Sequence, residues 1–344
     1  MEGILLSVTI KDIAAAVGLS TASVSRILNG RGRYSAASAK RVQAAAAELG
    51  YFKNRSAADL ASPQQRRTIG VINYLAATNA NDQVIQGILA EARERDVEVT
   101  IMYAQRDNQA SITRVVKSMI ERQVFAVLFL SVRPDQTVVD TLRQARIYPQ
   151  EVASASDLNI SSVSSDDFQI GYQATDLLLR RGYRRIAFVG ADPQKDIIGR
   201  YRYAGYTAAL QAYDVTPAKE WLFIGDGQYS YHSGLAAVTD FSEHPQTAVD
   251  AVFATSDDTA LGIVNGLYDL GRPFSPGSLA VIGVDGSSTC TRARPQLSSM
   301  TQSFDLIGRT AVAEAVHAGD QVDQIKRIEI PFTIEERQTT PTKK

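Results

Sequence analysis

The chain has 344 residues, a net charge of −1 and hydrophobic residues at 44% of its positions. At about 100–200 residues per domain, this length predicts two or three domains with a sizeable core. The single cysteine, Cys290, excludes an internal disulfide and a cysteine-based zinc site. The sequence has no run of about 18 apolar residues and no basic signal-like N-terminus, so we expect no membrane span and a cytoplasmic location.

The near-zero net charge conceals an uneven distribution along the chain. Residues 1–62 contain eight basic and four acidic residues, so this segment carries +4 and the remainder carries −5. A basic segment joined to an acidic body is typical of a small nucleic-acid-binding module on a larger domain. A solvated basic face with no partner explains the same charge, so the local sequence pattern has to decide between the two.

The first fifty residues predict three short helices. Thr9 is followed three residues later by an acid, and apolar residues then recur at helical spacing until Gly18. Ser20 can cap a second helix over Thr21–Leu28, and Ser35 can cap a third. Two short helices across a tight glycine turn, the second opening with small polar residues, are typical of a helix-turn-helix.

These residues also carry a family resemblance. The stretches VTIKDIAAAVGLSTASVSRILNG, SAASAKRVQAAAAELGY and NRSAADLA resemble the head and hinge of the lactose-repressor/galactose-repressor family of bacterial transcription regulators. The resemblance implies an all-α helix-turn-helix DNA-binding head over residues 1–52, followed by a hinge helix and linker over 53–67. It is more specific than a helix-turn-helix pattern alone because the helix spacing and the hinge are in register.

The resemblance also assigns roles within the head. Thr21 and Ala22 would face base edges in the major groove, with Arg26 one turn further, while Ser23 alternatively faces solvent. The positions that resemble phosphate-contacting ones, which orient the domain without reading the sequence, are Ser20, Ser25, Asn29, Tyr34 and Ser35. The complete predicted DNA-binding set is Thr9, Ser20, Thr21, Ala22, Ser23, Ser25, Arg26, Asn29, Tyr34, Ser35, Asn54, Ala57 and Leu60.

Asn54–Ala61 resembles the family's hinge helix, which enters the minor groove when two subunits pair on DNA. Leu60 occupies the position of the leucine that wedges into the central base step and kinks the duplex. An isolated helix of this length is marginal in water, so its formation would depend on the dimer and the DNA. Without the matching head, an inert linker would be the better interpretation.

The rest of the chain alternates short β-branched apolar runs with longer amphipathic segments. The predicted strands are Ile69–Tyr74, Val97–Tyr103, Val124–Leu130, Ile186–Gly190, Leu222–Gly225, Ala251–Ala254 and Leu279–Val284. The predicted helices include Gln83–Arg95, Ile112–Arg122, Ile170–Arg181, Ala204–Ala212, Gly234–Phe241 and Thr259–Leu270. This order predicts α/β architecture with parallel sheets covered on both faces, and the length favours two sheets.

The body continues the resemblance as a two-lobed, periplasmic-binding-protein-like domain of parallel doubly wound sheets over residues 68–340. The resemblance places the first lobe at about 68–163 plus 300–325 and the second at about 164–298. The polar residues 335–344 predict a disordered tail.

Ligands of doubly wound sheets bind at the carboxyl ends of strands, so the cleft between the lobes is the expected effector site. Six residues are expected in this cleft, either because they follow a predicted strand or because the resemblance places them there. They are Asn73, Tyr74, Arg202, Tyr229, Asp257 and Asp285. An arginine and an aspartate can bind two hydroxyls of a sugar while an aromatic ring covers its C–H face, and the same set can hold a purine.

Each of these residues has an alternative interpretation. Arg202 and Asp285 can form an ion pair between the lobes, and Asp257 can simply cap its helix. Tyr229 can pack at the rim of the cleft. Arg200 lies two residues before Arg202, so the sequence leaves open which arginine enters the cleft.

The family dimerises through its body, which implicates the predicted helices Gln83–Arg95 and Ile112–Arg122. Their residues Ile85, Ile88 and Leu89 alternatively face the sheet as core. No C-terminal heptad repeat follows, so a homodimer is favoured over a tetramer.

The sequence shows no catalytic or metal-binding constellation. His232, His244 and His317 are dispersed, and neither a nucleophile elbow nor a phosphate loop occurs. We therefore expect no enzyme, metal or cofactor, but a homodimeric repressor of carbohydrate-utilisation genes that binds double-stranded operator DNA and a small effector. A sugar is the expected effector, and a purine or a protein corepressor are the alternative effectors. The alternative function for the whole chain is a sugar-binding protein that does not act on DNA.

Overall fold

The computed structural model describes residues 10–28, 34–49, 67–74, 80–105, 108–244, 249–272, 279–319 and 321–343. The chain separates into two compact units, residues 1–66 and 67–344. We describe each unit by itself.

The first unit contains three helices around a small core. They are α1 (Ile10–Val17), α2 (Thr21–Leu28) and α3 (Ala36–Glu48). Gly18 adopts a φ of 65° in the turn after α1, a conformation that glycine enters at low cost. Ile13, Val24 and Val42, one from each helix, are fully buried and hold the three helices together.

The second unit has two six-stranded sheets among its described residues. The first sheet has the order β11-β5-β4-β3-β1-β2. Its strands are β1 (Thr68–Asn73), β2 (Glu98–Tyr103), β3 (Ala126–Leu130), β4 (Tyr148–Val152), β5 (Ser161–Ser164) and β11 (Arg327–Glu329). All of its pairings are parallel.

Four helices cover the two faces of this sheet and complete the first lobe. They are α4 (Ala80–Glu94), α5 (Gln109–Glu121), α6 (Gln136–Gln144) and α12 (Phe304–Ala318). Helices α4 and α12 share one apolar core with the sheet, and α5 and α6 form another on the opposite face. A Cβ at Gly308 would lie 2.2 Å from the carbonyl oxygen of Val84, so glycine permits the close approach of α12 to α4.

The second sheet repeats this plan in the order β12-β10-β9-β8-β6-β7. Its strands are β6 (Ile186–Val189), β7 (Leu222–Phe223), β8 (Ala251–Ala254), β9 (Ala280–Asp285), β10 (Ser298–Gln302) and β12 (Phe332–Glu335). The accompanying helices are α7 (Asp167–Arg180), α8 (Ile197–Ala212), α9 (Tyr231–Glu243), α10 (Asp257–Asp269) and the short α11 (Thr289–Arg292). Strand β12 pairs antiparallel with β10 at the sheet edge, and the other pairings are parallel.

The chain passes between the two lobes three times. It leaves the first sheet after β5, returns after β10 to form α12 and β11, and crosses again to form β12. The expectation that the return begins at about residue 300 was wrong, because residues 298–301 pair with β9 and residues 299–302 pair with β12 in the second sheet. The three crossings make one body out of two lobes.

The predicted disorder of the C-terminal segment was also wrong for its described residues, 335–343. Thr339 and Thr340 are 0% and 1% exposed, and the carbonyl of Thr339 accepts the N–H of Val281 at 2.8 Å. Ser298 donates its N–H to Thr339 Oγ1 at 2.9 Å and shares a 2.7 Å hydrogen bond with Thr340 Oγ1. The polar segment packs because its hydroxyls find partners on the second sheet.

The expected apolar face of α4 is divided between core and surface. Ile88 is fully buried and Ile85 packs against the same core, whereas Leu89 is 46% exposed. Within the described part of the chain, no helix combines the length and apolar character needed to cross a bilayer.

Candidate functional site

Helix α2 of the head presents a polar face away from its core. Thr21, Ala22 and Arg26 are exposed, while Val24 and Ile27 on the opposite side are buried. This separation follows from helical spacing, since residues one turn apart share a face. The side chains predicted to read bases are therefore available on one surface.

Two of the residues predicted to contact phosphate, Ser20 and Ser35, cap helices. Ser20 Oγ accepts the N–H of Ser23 at 3.2 Å and lies 2.9 Å from its hydroxyl, so it caps α2. Ser35 caps α3 in the same way, accepting the N–H of Ser38 at 3.1 Å. Ser23 is half-buried against this cap, while Tyr34 is 42% exposed. Ser25 is half-buried.

Five residues of the predicted DNA-binding set lie outside the described residues. They are Thr9, Asn29, Asn54, Ala57 and Leu60. The predicted hinge helix falls wholly in this group.

In the body, a cleft of about 1010 Å³, counting its open mouth, lies between the lobes. It forms where strands of both sheets end: Tyr74 follows β1, Ser131 follows β3, Thr255 follows β8 and Asp285 ends β9. In both sheets, the first strand lies between neighbours reached by opposite crossovers, the arrangement that opens a ligand crevice in doubly wound folds.

Arg202 of α8 enters this cleft, while Arg200 is exposed outside it. Arg202 Nε donates to Asp167 Oδ1 at 2.8 Å, and its Nη1 donates to the carbonyl of Thr255 at 2.6 Å. The predicted alternative, an ion pair with Asp285 between the lobes, is not what forms: Arg202 pairs with Asp167 at the start of α7, within the second lobe. Burial raises the pKa of Asp167 to about 6, although Arg202 opposes this shift.

Tyr229 stands beside this ion pair. Its ring centroid lies 5.8 Å from the Arg202 guanidinium carbon, and its hydroxyl donates to Asp196 Oδ2. Asp196 in turn caps α8 by accepting the N–H of Gly199 at 2.6 Å. The tyrosine is therefore held in the cleft wall with its ring against a cation.

Asp285 lies at the end of β9 with a φ of 119°. Gln302 Nε2 approaches its Oδ1 at 3.4 Å. Burial, together with the neighbouring Asp257 carboxylate, raises the pKa of Asp285 well above its ordinary value. A protonated carboxyl can both donate and accept a hydrogen bond at this position in the cleft wall.

Asp257 does not line the cleft, and it does not cap its helix. The cap of α10 is Ser256, whose Oγ accepts the N–H of Thr259 at 3.0 Å. Asp257 is 1% exposed and accepts hydrogen bonds from Ser287 and Ser299. Both interpretations offered by the sequence were wrong, because the residue after a cap turns inward toward β9 here.

Asn73 was predicted in the cleft but supports a residue that lines it. Asn73 is 4% exposed, and its Oδ1 accepts hydrogen bonds from Asn81 Nδ2 at 2.9 Å and from the N–H of Tyr74. Asn81 lines the cleft and accepts the hydroxyl of Ser131 at 3.0 Å. The first lobe thus presents a connected row of amides and hydroxyls.

Glu151 adds a buried carboxyl from the first lobe. It is 2% exposed, lines the cleft, and accepts the N–H of Ser156 at 2.7 Å. Burial raises its pKa, and the hydrogen bond from Ser156 opposes that shift.

The backbone around the cleft is unusually strained. Ser131, Ala153, Tyr229 and Asp285 line the cleft, and all four have positive φ. Side-chain-bearing residues rarely adopt this conformation, and such outliers cluster at ligand sites. The strain therefore supports the cleft as a binding site on grounds independent of its volume.

Sequence reasoning missed several cleft residues. Those with polar side chains are Asn81, Ser131, Arg133, Glu151, Ser154, Lys195, Asp196, Gln228, Thr255, Ser256 and Gln302. Most directly follow a strand or begin the next helix, so a search of every strand end would have found them. Glu151 escaped because YPQEV does not resemble a buried strand.

Comparison with known proteins identifies the chain. Residues 9–54 match the bacterial regulatory proteins of the lacI family, and residues 175–340 match a periplasmic binding protein-like domain. The HTH-type transcriptional regulator CelR of Thermobifida fusca is 30% identical over 315 residues, which cover 88% of each chain. The chain belongs to the lacI family.

Other lacI-family proteins match over nearly the whole length. Catabolite control protein A of Priestia megaterium is 29% identical over 337 residues, covering 97% of this chain and 100% of that protein. A solved complex of transcriptional regulator CelR with cellobiose is 26% identical, with a TM-score of 0.70, and covers 96% of this chain and 99% of that one. A Lac repressor dimer bound to operator shares the fold, with a TM-score of 0.78 at 23% identity over 98% and 100% of the chains.

Membership of the lacI family confirms the predicted architecture and class. The protein is a DNA-binding transcription regulator with a helix-turn-helix head and a two-lobed α/β body. Among the residues that the structure describes, no group of three or more His, Cys, Asp or Glu side chains could hold a metal ion.

Proposed function

We propose that this lacI-family protein is a homodimeric repressor whose operator affinity is controlled by a small sugar bound between its lobes. The observation that carries the proposal is the convergence of Arg202, Tyr229 and Asp285 from the second lobe with Asn81 and Glu151 from the first in one cleft. Carboxyl, amide and guanidinium groups bind sugar hydroxyls, and the Tyr229 ring offers a face for C–H groups.

The relatives support a sugar as the effector. The CelR structure holds cellobiose, and structures of another relative, 26% identical, are described with bound sucrose and glucose. The same polar groups would accept a purine, and a protein corepressor would bind elsewhere on the body. Because a bacterial regulator that binds operator DNA acts in the cytoplasm and by binding alone, we infer a cytoplasmic, non-catalytic protein.

The head supports a two-fold symmetric operator. One α2 from each subunit would enter successive major grooves, with Thr21, Ala22 and Arg26 toward base edges and Ser20, Ser25, Tyr34 and Ser35 toward phosphates. Thr9, Asn29 and the hinge residues Asn54, Ala57 and Leu60 would complete the interface. Exposed Leu89 on α4 is available for contact between the bodies.

The proposal is tested with the full-length chain and an operator selected from a random DNA pool. Fluorescence anisotropy should show sequence-selective binding to a pseudo-palindrome that weakens steeply with salt, because counterions are released. Cellobiose, D-glucose, D-ribose and adenine are then titrated into the complex. A sugar that changes operator affinity supports the proposal; a response to adenine alone would replace the sugar, and absence of selective DNA binding would refute the function.

A further inference from the structure

Asp257 is buried behind the cleft and contacts the loop that carries Asp285. Its Oδ2 accepts the N–H of Ser287 at 2.7 Å, and its Oδ1 accepts the hydroxyl of Ser299 at 2.6 Å. Ser299 Oγ in turn accepts the N–H of Gly286 at 3.0 Å. The backbone amides of both residues after Asp285 are therefore fixed, directly or through Ser299, by one carboxylate.

The surroundings are shaped to admit that carboxylate. A Cβ at Gly283 of β9 would lie 2.6 Å from Asp257 Oδ1, so a side chain there would displace it. A Cβ at Gly286 would lie 2.3 Å from Thr301 Cγ2, and Gly286 has a φ of 75°. The strand end and the loop therefore require glycine at positions 283 and 286 to keep this path beside Asp257 and Thr301.

The loop needs such support because Asp285 itself has a positive φ of 119°. A residue with a side chain holds this conformation only when its surroundings over-determine it. Two fixed amide groups immediately after Asp285 supply that constraint. Without them, the carboxyl would lose its fixed direction toward the cleft.

We propose that Asp257 is a positioning residue of the effector site, which acts on the ligand through Asp285 without touching it. The proposal rests on the proposed function in one respect, namely that Asp285 contacts the effector. Asp257 also acts by charge. The charged groups around Asp285 are Asp257, Asp258 and Asp167, which disfavour its ionisation, and Arg202, which favours it.

These two actions can be measured without knowing the effector. Full-length protein labelled with ¹³C-aspartate reports the titration of the Asp285 carboxyl, assigned with Asp285→Asn. In Asp257→Asn, the Asp285 midpoint should fall by about one unit or more, because a neighbouring negative charge is removed. Hydrogen exchange of the Gly286 and Ser287 amides should accelerate by about tenfold or more, because asparagine keeps only one acceptor oxygen where the carboxylate uses two.

Asp258→Asn is the matched control, since it removes the same charge one residue further along α10 and outside the hydrogen-bonded group. It should lower the Asp285 midpoint less and leave the Gly286 and Ser287 amides protected. Ser299→Ala separates the two actions, because it should expose the Gly286 amide to exchange while leaving the charge of Asp257 in place. It also serves if Asp257→Asn fails to fold.

Equal shifts in Asp257→Asn and Asp258→Asn, or unchanged exchange in both Asp257→Asn and Ser299→Ala, would overturn the proposal. A ligand arm uses cellobiose as the probe, whose affinity should fall about tenfold in Asp257→Asn with operator affinity unchanged. If cellobiose fails to bind the wild type, cellobiose is not the effector, whereas the titration and exchange results still decide the role of Asp257.

Discussion

Arg202 joins the effector cleft to the interior of the second lobe. Its guanidinium lines the cleft, yet two of its hydrogen bonds go to Asp167 and to the carbonyl of Thr255. The side chains of both ion-pair partners are less than a tenth exposed. A ligand that draws on Arg202 therefore also affects a buried carboxylate.

Replacing Arg202 should separate sensing from DNA binding. In Arg202→Ala, we expect the effector response to be lost while operator binding persists, because the head does not depend on this side chain. The change leaves Asp167 buried without its partner, at a cost of about 3–5 kcal/mol in the free energy of unfolding.

Operator titrations with and without effector measure the response, and Arg200→Ala, on the exposed side of α8, is the matched control. The double variant Arg202→Met, Asp167→Asn removes the uncompensated charge. A normal response in Arg202→Ala would move the ligand away from this arginine.

The pKa of Asp167 predicts a pH dependence of stability. Because its pKa is about 6 in the folded protein and 3.8 ordinarily, the folded state binds the proton more tightly. The stabilisation from this group is complete below about pH 4 and is lost as the pH rises through 6. The loss should reach about 2–3 kcal/mol at neutral pH.

Denaturant unfolding of wild type and Asp167→Asn at several pH values tests this dependence. The free energy of unfolding of the wild type, relative to the variant, should decline between pH 4 and pH 7. A difference that stays constant across this range would show that the carboxyl of Asp167 does not titrate there.

At the scale of elements, the sequence predicts those segments best whose apolar residues face one core. The helix predicted over Ile112–Arg122 forms as Gln109–Glu121, with Ile112, Val115 and Val116 buried at helical spacing. Strand Tyr148–Val152 was missed because Pro149, Gln150 and Glu151 interrupt any apolar pattern. This segment is a strand because it pairs with β3 and β5 on either side, which its own sequence does not indicate.

The cleft was predicted only in part for a related reason. Arg202 and Tyr229 were recognised through the family resemblance, whereas Asp167 was not, because pairing across two helices leaves no local signal. Asp257 was misassigned because the direction of a side chain at a helix start depends on which residue caps the helix.

The C-terminal segment gives a prediction at this scale. Deleting residues 336–344 should lower the free energy of unfolding by about 3 kcal/mol or more, because Val281 and Ser298 lose hydrogen-bond partners in a buried sheet. Lys343→Ala, which removes a partly exposed ion pair with Asp250 and a cation–π contact with Tyr183 but keeps the backbone of the segment, should cost less, about 1 kcal/mol. Denaturant unfolding followed by circular dichroism compares them, and equal costs would contradict a packed segment.

At the scale of the whole molecule, the charge is divided by function. The basic first 62 residues contain the head that binds DNA, and the acidic remainder contains the cleft. A basic body would add contacts with phosphate at any sequence. An acidic body instead confines attraction for DNA to the part that reads it.

Linkage between the two sites gives the prediction at this scale. If an effector lowers operator affinity by a given factor, the operator must lower effector affinity by the same factor. Calorimetric titration of the effector into free protein and into the operator complex measures the effector affinity of each form. Identical effector affinities, for an effector that releases operator, would be incompatible with coupling through one protein.

The last crossing between the lobes bears on how the protein is made. Strands β11 and β12 are separated in the chain by Ile330 and Pro331 alone, yet they complete the edges of different sheets. During synthesis the head emerges first, whereas both lobes lack an edge strand until this final segment leaves the ribosome. Translation that stops before residue 327 therefore yields a DNA-binding head attached to an unfinished sensor.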